Sequence, residues 1–309
     1  MPHVIRKPQV IFLIGPTAVG KTGLSLKLAR RLNTEIISCD SMQVYKGMRI
    51  LSQAPTRQET RSVRHHLVNS VRAEDEFSVS RFVETAAPLI RSLHKNGKVP
   101  LIVGGSGLYV KALVDGLFQS PEADNRFRKK MWTYASRYGK RYLYRKLARI
   151  DPETAAIIHQ NDTRRVIRAL EVYHTTGSAI SALKRKTKGL KDSFDVRIFG
   201  LTMPREMIYA AIDDRVEGMF KKGIAREVRD LAKRLLSRTA RAALGVKEIS
   251  GYLAGDYSLD EAKQLLKKNT RHFAKRQLAW FRPDTRIRWF DVSKKDPGKI
   301  VEAIVRLCK

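Results

Sequence analysis

Acidic residues are scarce in this 309-residue chain, and cysteine is almost absent. Thirty Asp+Glu stand against 61 Lys+Arg, a formal net charge of +31. Self-repulsion of that size points to a polyanionic partner, nucleic acid first and an anionic membrane surface second. The only cysteines are Cys39 and Cys308, near opposite ends. Without a Cys cluster there is neither a disulfide framework nor a zinc site of ordinary spacing, and a reduced, cytoplasmic protein is expected. No apolar run reaches the roughly 18 residues of a spanning helix, so no membrane role is expected. The stretch Gln9 to Ile14 (QVIFLI) is too short for a signal-peptide core and reads as a buried strand. Internal repeats and low-complexity linkers are also missing. The 43% hydrophobic content excludes disorder as a whole-chain description and suits one large domain or two of moderate size.

What is present has an ordered layout. Val10–Ile14 is apolar throughout, as a strand covered on both faces should be. A helix pattern follows from Lys21 to Leu32, a strand at 35–38, and a helix over 78–95 ended by Asn96-Gly97. Another short strand at 99–103 runs into Gly104-Gly105. That β-α-β-α-β order predicts an α/β core with a parallel sheet flanked by helices. From 121 to 191 the strand signals stop, and the segment carries 18 Lys+Arg against 6 Asp+Glu. The spacing there predicts a basic helical insertion facing the polyanion, with the core formed by 1–120 and 192–309. The sheet resumes at 195–203, helices dominate to about Pro283, and a last strand at 287–290 precedes a final helix.

Gly15-Pro16-Thr17-Ala18-Val19-Gly20-Lys21-Thr22 fits G-x-x-x-x-G-K-[ST]. It stands between a strand and a helix, where backbone N–H groups and the helix N-terminus can hold a diphosphate or triphosphate. Lys21 supplies a mobile charge and the Thr22 hydroxyl a ligand for Mg²⁺. No strand ending in Asp supplies a second metal ligand. Instead the second strand delivers Asp40-Ser41-Met42-Gln43 at its C-terminal edge, facing the ligand crevice of such a sheet. Asp40 reads either as a base or as a turn residue.

Together these segments resemble the tRNA dimethylallyltransferase (tRNA isopentenyltransferase) family over nearly the whole chain. The similarity rests on GPTAVGKT, on DSMQVYKGM at 40–48, on His65-His66-Leu67 and on GGSGLY at 104–109. Further matches are Asn161-Asp162-Thr163-Arg164-Arg165 leading into IRALEVY, and TRHFAKRQ at 270–277. Leu51-Ser52, Ser106, Val246 and Ala279 depart from the family's pattern, and a zinc finger of the eukaryotic kind is lacking, so the resemblance is to bacterial-type members. It implies a P-loop NTPase-like fold and transfer of a dimethylallyl group from its diphosphate to the exocyclic amine of an adenine beside the anticodon.

By the same resemblance, Gly15 to Thr22 bind the diphosphate, with Lys21, Thr22 and Mg²⁺ countering its charge. Asp40 is the base, and Arg215 is a further cation on the leaving group. Asp40, Ser41, Met42 and Gln43 would hold the flipped adenine, with Ser106 nearby unless it merely caps the next helix. Contacts to tRNA fall to Arg128, Asn161, Asp162, Thr163, Arg164, Arg165, Lys247, Arg271 and Lys275. Read from spacing, Leu259, Leu266, Phe273 and Trp280 form a packing stripe, while Lys263, Lys267, Arg271 and Lys275 form a ridge of like charges that phosphates would relieve. His65 and His66 read as structural. All signatures lie within one chain, and a monomer is expected. Rival readings are an adenylate isopentenyltransferase, which would not need the basic insertion, a nucleotide kinase, and a plain RNA-binding module, which would not need the phosphate loop.

Overall fold

A computed structural model describes residues 7–118 and 121–308. Six strands form one parallel sheet: β1 (Gln9–Ile14), β2 (Ile36–Cys39), β3 (His65–His66), β4 (Leu101–Gly104), β5 (Asp195–Thr202) and β6 (Ile287–Asp291), in the order β3-β2-β4-β1-β5-β6. β1 is central because both its faces are apolar. Val10, Phe12 and Ile14 enter one core, while Ile11 and Leu13 enter the other with Leu24, Leu28, Ile300 and Ile304. All five side chains are fully buried, each worth roughly 1.5–3 kcal/mol of apolar burial.

The register fixes where chemistry can occur. Ile14 pairs with Gly104 on one side and Gly200 on the other, and Gly104 pairs with Cys39. Three strands therefore end level, and the next residues, Gly15, Asp40 and Gly105, emerge together at the sheet's C-terminal edge.

The chain divides into two compact units, residues 1–114 with 190–309, and residues 115–189. The second unit thus starts six residues before the expected 121 and stops two short of 191. It is helical, with Asn125–Tyr138, Lys140–Ile150, Pro152–Ile157, Thr163–Thr176 and Ile180–Arg185 around Met131, Leu143, Leu147, Val166, Ile167 and Leu170. Glu171 is fully buried there, yet its carboxylate accepts from the Asp124 N–H, from Arg128 and from Arg168. Those bonds hold its pKa down against the opposing effect of burial.

Two readings of the helix Leu259–Phe281 need correction. Its buried face runs through Ala262, Leu266, Thr270, Ala274, Gln277 and Phe281, while Leu259 and Trp280 are 38% and 41% exposed. Alanines and two polar side chains share the inner face with Leu266 and Phe281, so the seven-residue spacing of large apolar residues does not trace it. The cationic ridge is also largely neutralised. Glu217 holds Lys263 at 3.0 Å and Lys267 at 2.7 Å, and Asp213 holds Arg271 at 2.5 Å. Both carboxylates belong to the helix Arg205–Lys221, so no pattern on the basic helix alone reveals them.

Candidate active site

The level strand ends open into a cavity of about 390 Å³, lined by Lys21, Thr22, Asp40, Gln43, Arg215 and Gln277 among others. A larger hollow of about 900 Å³ lies at the other edge of the sheet, lined by Gln9 and Asp195, the first residues of β1 and β5. It holds no phosphate loop, and parallel sheets bind ligands at their C-terminal edge.

The loop from Gly15 to Thr22 wraps the start of the helix Lys21–Arg31. Gly20 has φ +85°, which frees the helix N-terminus without steric cost, and Ala18 takes a left-handed φ of +67° that an L-residue adopts only under constraint. The Lys21 ammonium donates to the carbonyls of Gly15 at 3.0 Å and Pro16 at 2.6 Å. Its pKa is lowered to about 7, first by burial and then by the Arg215 charge, with Asp40 partly offsetting both. Arg215 reaches the loop from the helix Arg205–Lys221, its Nη1 donating to Thr17 Oγ1 at 2.7 Å. Burial depresses its pKa as well, and Asp40 again opposes the shift.

Asp40 has both roles that its sequence context allows. Oδ1 accepts from the backbone N–H of Met42 at 2.9 Å and of Gln43 at 3.4 Å, which makes it a turn residue. It also lines the cavity, and its Oδ2 has no hydrogen-bond partner among the described residues. Ser41 donates its N–H to Ser106 Oγ at 3.2 Å, so the two loops touch. Gln43 is more committed than its sequence suggests: Oε1 accepts from Ser38 and Nε2 donates to the Gln53 carbonyl. One amide hydrogen remains for a ligand. Cys39 is buried, and burial together with Asp40 pushes its thiol pKa well up, which removes it as a nucleophile.

A residue without a sequence-based role sits at the centre. Gln277 Oε1 accepts from the Thr17 N–H at 2.8 Å, while Nε2 donates to the Gly105 carbonyl at 3.0 Å. It stands in a recognisable motif, but nothing in a linear sequence shows that its amide faces the phosphate loop.

Thr22 and Asp40 could serve a hard cation. Mg²⁺ typically takes one or two carboxylates together with substrate phosphate oxygens and waters, and both residues line the one cavity. Among the described residues no group of three or more His, Cys, Asp or Glu could hold a metal. His65 and His66 are held structurally: the first bonds the Val63 carbonyl, the second Glu35 at 2.7 Å.

The other expected contacts scatter. Asn161, Arg164, Arg165, Lys247 and Lys275 are exposed. Asp162 accepts from the Arg165 N–H and caps the helix Thr163–Thr176. Thr163, expected at the same surface, is only 5% exposed. Arg128 and Arg271 are tied to Glu171 and Asp213. Of the departures, Leu51 and Ser52 line the cavity, Val246 is buried in the core, and Ala279 is exposed.

A parallel sheet with a glycine loop of the P-loop pattern at its central strand, and a carboxylate and an arginine beside it, defines a P-loop-like α/β protein. The chain belongs to the IPP transferase family, whose profile matches residues 43–284. It is 43% identical over 308 residues to the tRNA dimethylallyltransferase of Natranaerobius thermophilus, covering 98% of this chain and 92% of that one. With the tRNA dimethylallyltransferase of Halothermothrix orenii it shares 44% identity over 304 residues, covering 97% and 92%. Among solved structures, the tRNA isopentenylpyrophosphate transferase of Bacillus halodurans superposes with a TM-score of 0.73 at 40% identity, covering 98% of this chain and 96% of that one. A eukaryotic dimethylallyltransferase caught acting on tRNA gives 0.74 at 30% identity, covering 92% and 74%.

Proposed function

We propose that the protein transfers a dimethylallyl group from dimethylallyl diphosphate to the exocyclic amine of an adenine adjacent to the anticodon in tRNA. The observation that carries this is one cavity holding Lys21, Thr22, Asp40 and Arg215. The amine is a weak nucleophile because its lone pair is delocalised into the ring, and the attacked allylic carbon gains positive charge as diphosphate leaves. A base near the amine and fixed cations around the leaving group meet those two needs.

The nitrogen lone pair forms the new N–C bond while the donor's C–O bond breaks and its electrons leave with diphosphate. Asp40 Oδ2 takes the amine proton. The loop amides, Lys21 and Arg215 receive the charge that builds on diphosphate. Thr22 would hold Mg²⁺, which would supply further charge compensation at the leaving group. The adenine must leave its stack to reach Asp40 at the foot of the cavity, and the basic insertion offers its exposed arginines to the tRNA backbone. Every group named comes from one chain, and the protein acts as a monomer.

The test is a transfer assay with Mg²⁺ and labelled dimethylallyl diphosphate, offered unmodified tRNA, AMP or neither. Label in tRNA and not AMP is the expected result. Label in AMP would replace this reading with a free-nucleotide transferase, and ATP consumption without label transfer would make the protein a kinase.

The tRNA surface has its own test. Among the described residues, the exposed Arg164 side chain has no partner and Arg165 makes only an exposed pair with Asp162 at 3.3 Å. Arg164→Ala with Arg165→Ala should weaken tRNA binding and flatten its salt dependence by roughly 0.7–0.9 log units of slope per lost phosphate contact. An unchanged slope would reduce both to a solvated face.

A further inference from the structure

We infer that Gln277 is a positioning residue that couples the diphosphate loop to the loops holding the acceptor base, so that each ligand raises affinity for the other. The inference rests on the proposed transfer from a diphosphate donor to tRNA. It begins from an oddity of packing. The inner face of the helix Leu259–Phe281 is otherwise built from Ala262, Leu266, Ala274 and Phe281, with one further polar residue, Thr270, yet it places a carboxamide only 7% exposed among them. A buried amide with empty hydrogen-bond positions is costly. Gln277 avoids that cost only by spanning two loops of the site.

Its geometry leaves one orientation. The Thr17 N–H can only donate and the Gly105 carbonyl can only accept, so Oε1 must face the first and Nε2 the second, at 2.8 and 3.0 Å. Glutamate could not donate to Gly105, lysine could not accept from Thr17, and an apolar side chain could do neither. Gly105 completes the fit: a Cβ there would stand 2.2 Å from Gln277 Nε2, so any larger residue displaces the amide.

The bonds continue on both sides. Thr17 Oγ1 holds Arg215, one of the cations facing the diphosphate. On the far side, Ser106 follows Gly105 and accepts from the Ser41 N–H, while its own N–H donates to the Cys39 carbonyl. Cys39 and Ser41 flank Asp40. A continuous series of short contacts therefore runs from Arg215 through Thr17, Gln277, Gly105 and Ser106 to the segment that carries the base. Diphosphate settling on the loop acts on Thr17 and its neighbours, and the amide transmits that constraint to Ser106 and Asp40. Coupling is a free energy between the two sites and must be reciprocal.

The test measures that quantity directly. Affinity for an unmodified anticodon stem–loop RNA is determined with and without saturating inorganic pyrophosphate and Mg²⁺, and pyrophosphate affinity with and without RNA. In the wild-type protein each ligand should tighten the other by about fivefold or more, by the same factor in both directions. Gln277→Met conserves volume and should bring the coupling factor to near one, whatever its separate affinities for the two ligands become. Gly105→Ala breaks the same bond from the other side. It should abolish coupling likewise, and the double variant should show no further loss. Coupling that survives in either variant, or is absent from the wild-type protein while both ligands bind, overturns the inference and leaves the proposed reaction standing. Failure of pyrophosphate to bind at all overturns the donor assignment and the inference with it.

Discussion

Asp40→Asn is expected to lower turnover by on the order of 10²-fold or more, the loss that follows removal of a general base, with tRNA affinity within about twofold of wild type. Asparagine is the sharper probe because Asp40 does two things. Its Oδ1 holds the N–H groups of Met42 and Gln43, and an asparagine oxygen can keep both bonds. What it cannot do is take a proton from the adenine amine. Asp40→Ala removes both roles at once. It should show the same loss of turnover together with weaker tRNA binding, because the segment Ser41 to Gln43 loses the turn that shapes it. Single-turnover kinetics with saturating tRNA separates the two variants. If Asp40→Asn turns over within about threefold of wild type, Asp40 is a turn residue and the amine loses its proton elsewhere.

The parallel core was legible because its signals are local. An apolar strand followed by a glycine loop and a helix can be read from residues 9 to 32 alone, and the structure has β1, the loop and the helix Lys21–Arg31 in those places. The edge strand β3 was not legible: two residues, both histidine, carry no alternation, and they pair only because β2 offers its edge. Within the site, the loop and Asp40 lie near one another in sequence, and Arg215 was reached by resemblance. Gln277 stands in a motif that by itself shows no task for it, since its partners Thr17 and Gly105 lie 260 and 172 residues away. The same limit explains the misread ridge. Lys263, Lys267 and Arg271 repel one another on their own helix, but Glu217 and Asp213 meet them from another. Counting charge along one helix cannot detect carboxylates contributed across an interface, and a buried amide breaks the apolar stripe that sequence reading depends on.

Lys21→Ala is expected to reduce kcat/KM for the prenyl diphosphate by on the order of 10²- to 10³-fold, the scale of a lost preorganised donor, while tRNA affinity stays within about threefold. The wild-type pH profile should carry the same residue's signature. Free enzyme holds the Lys21 pKa near 7, chiefly through burial and secondly through Arg215. Only the protonated form attracts diphosphate, so kcat/KM for the donor should fall towards tenfold per pH unit above about 7. Bound diphosphate favours the ammonium, so kcat at saturating donor should stay flat over that range. Lys21→Arg keeps its charge, and its kcat/KM should lack the alkaline fall whatever its absolute rate. Stability gives an independent check with a definite sign. The folded pKa lies below the unfolded value of 10.5, so between those two values the unfolded chain binds more protons and stability rises with pH. Below pH 7 the full cost of burying the ammonium is present, and above about 10.5 it has gone. Lys21→Met should therefore raise the melting temperature of the ligand-free protein at pH 6 and change it little near pH 10. A reversed order would mean that the Lys21 ammonium is stabilised by the Gly15 and Pro16 carbonyls rather than strained by enclosure, and the alkaline fall in kcat/KM would then belong to another group.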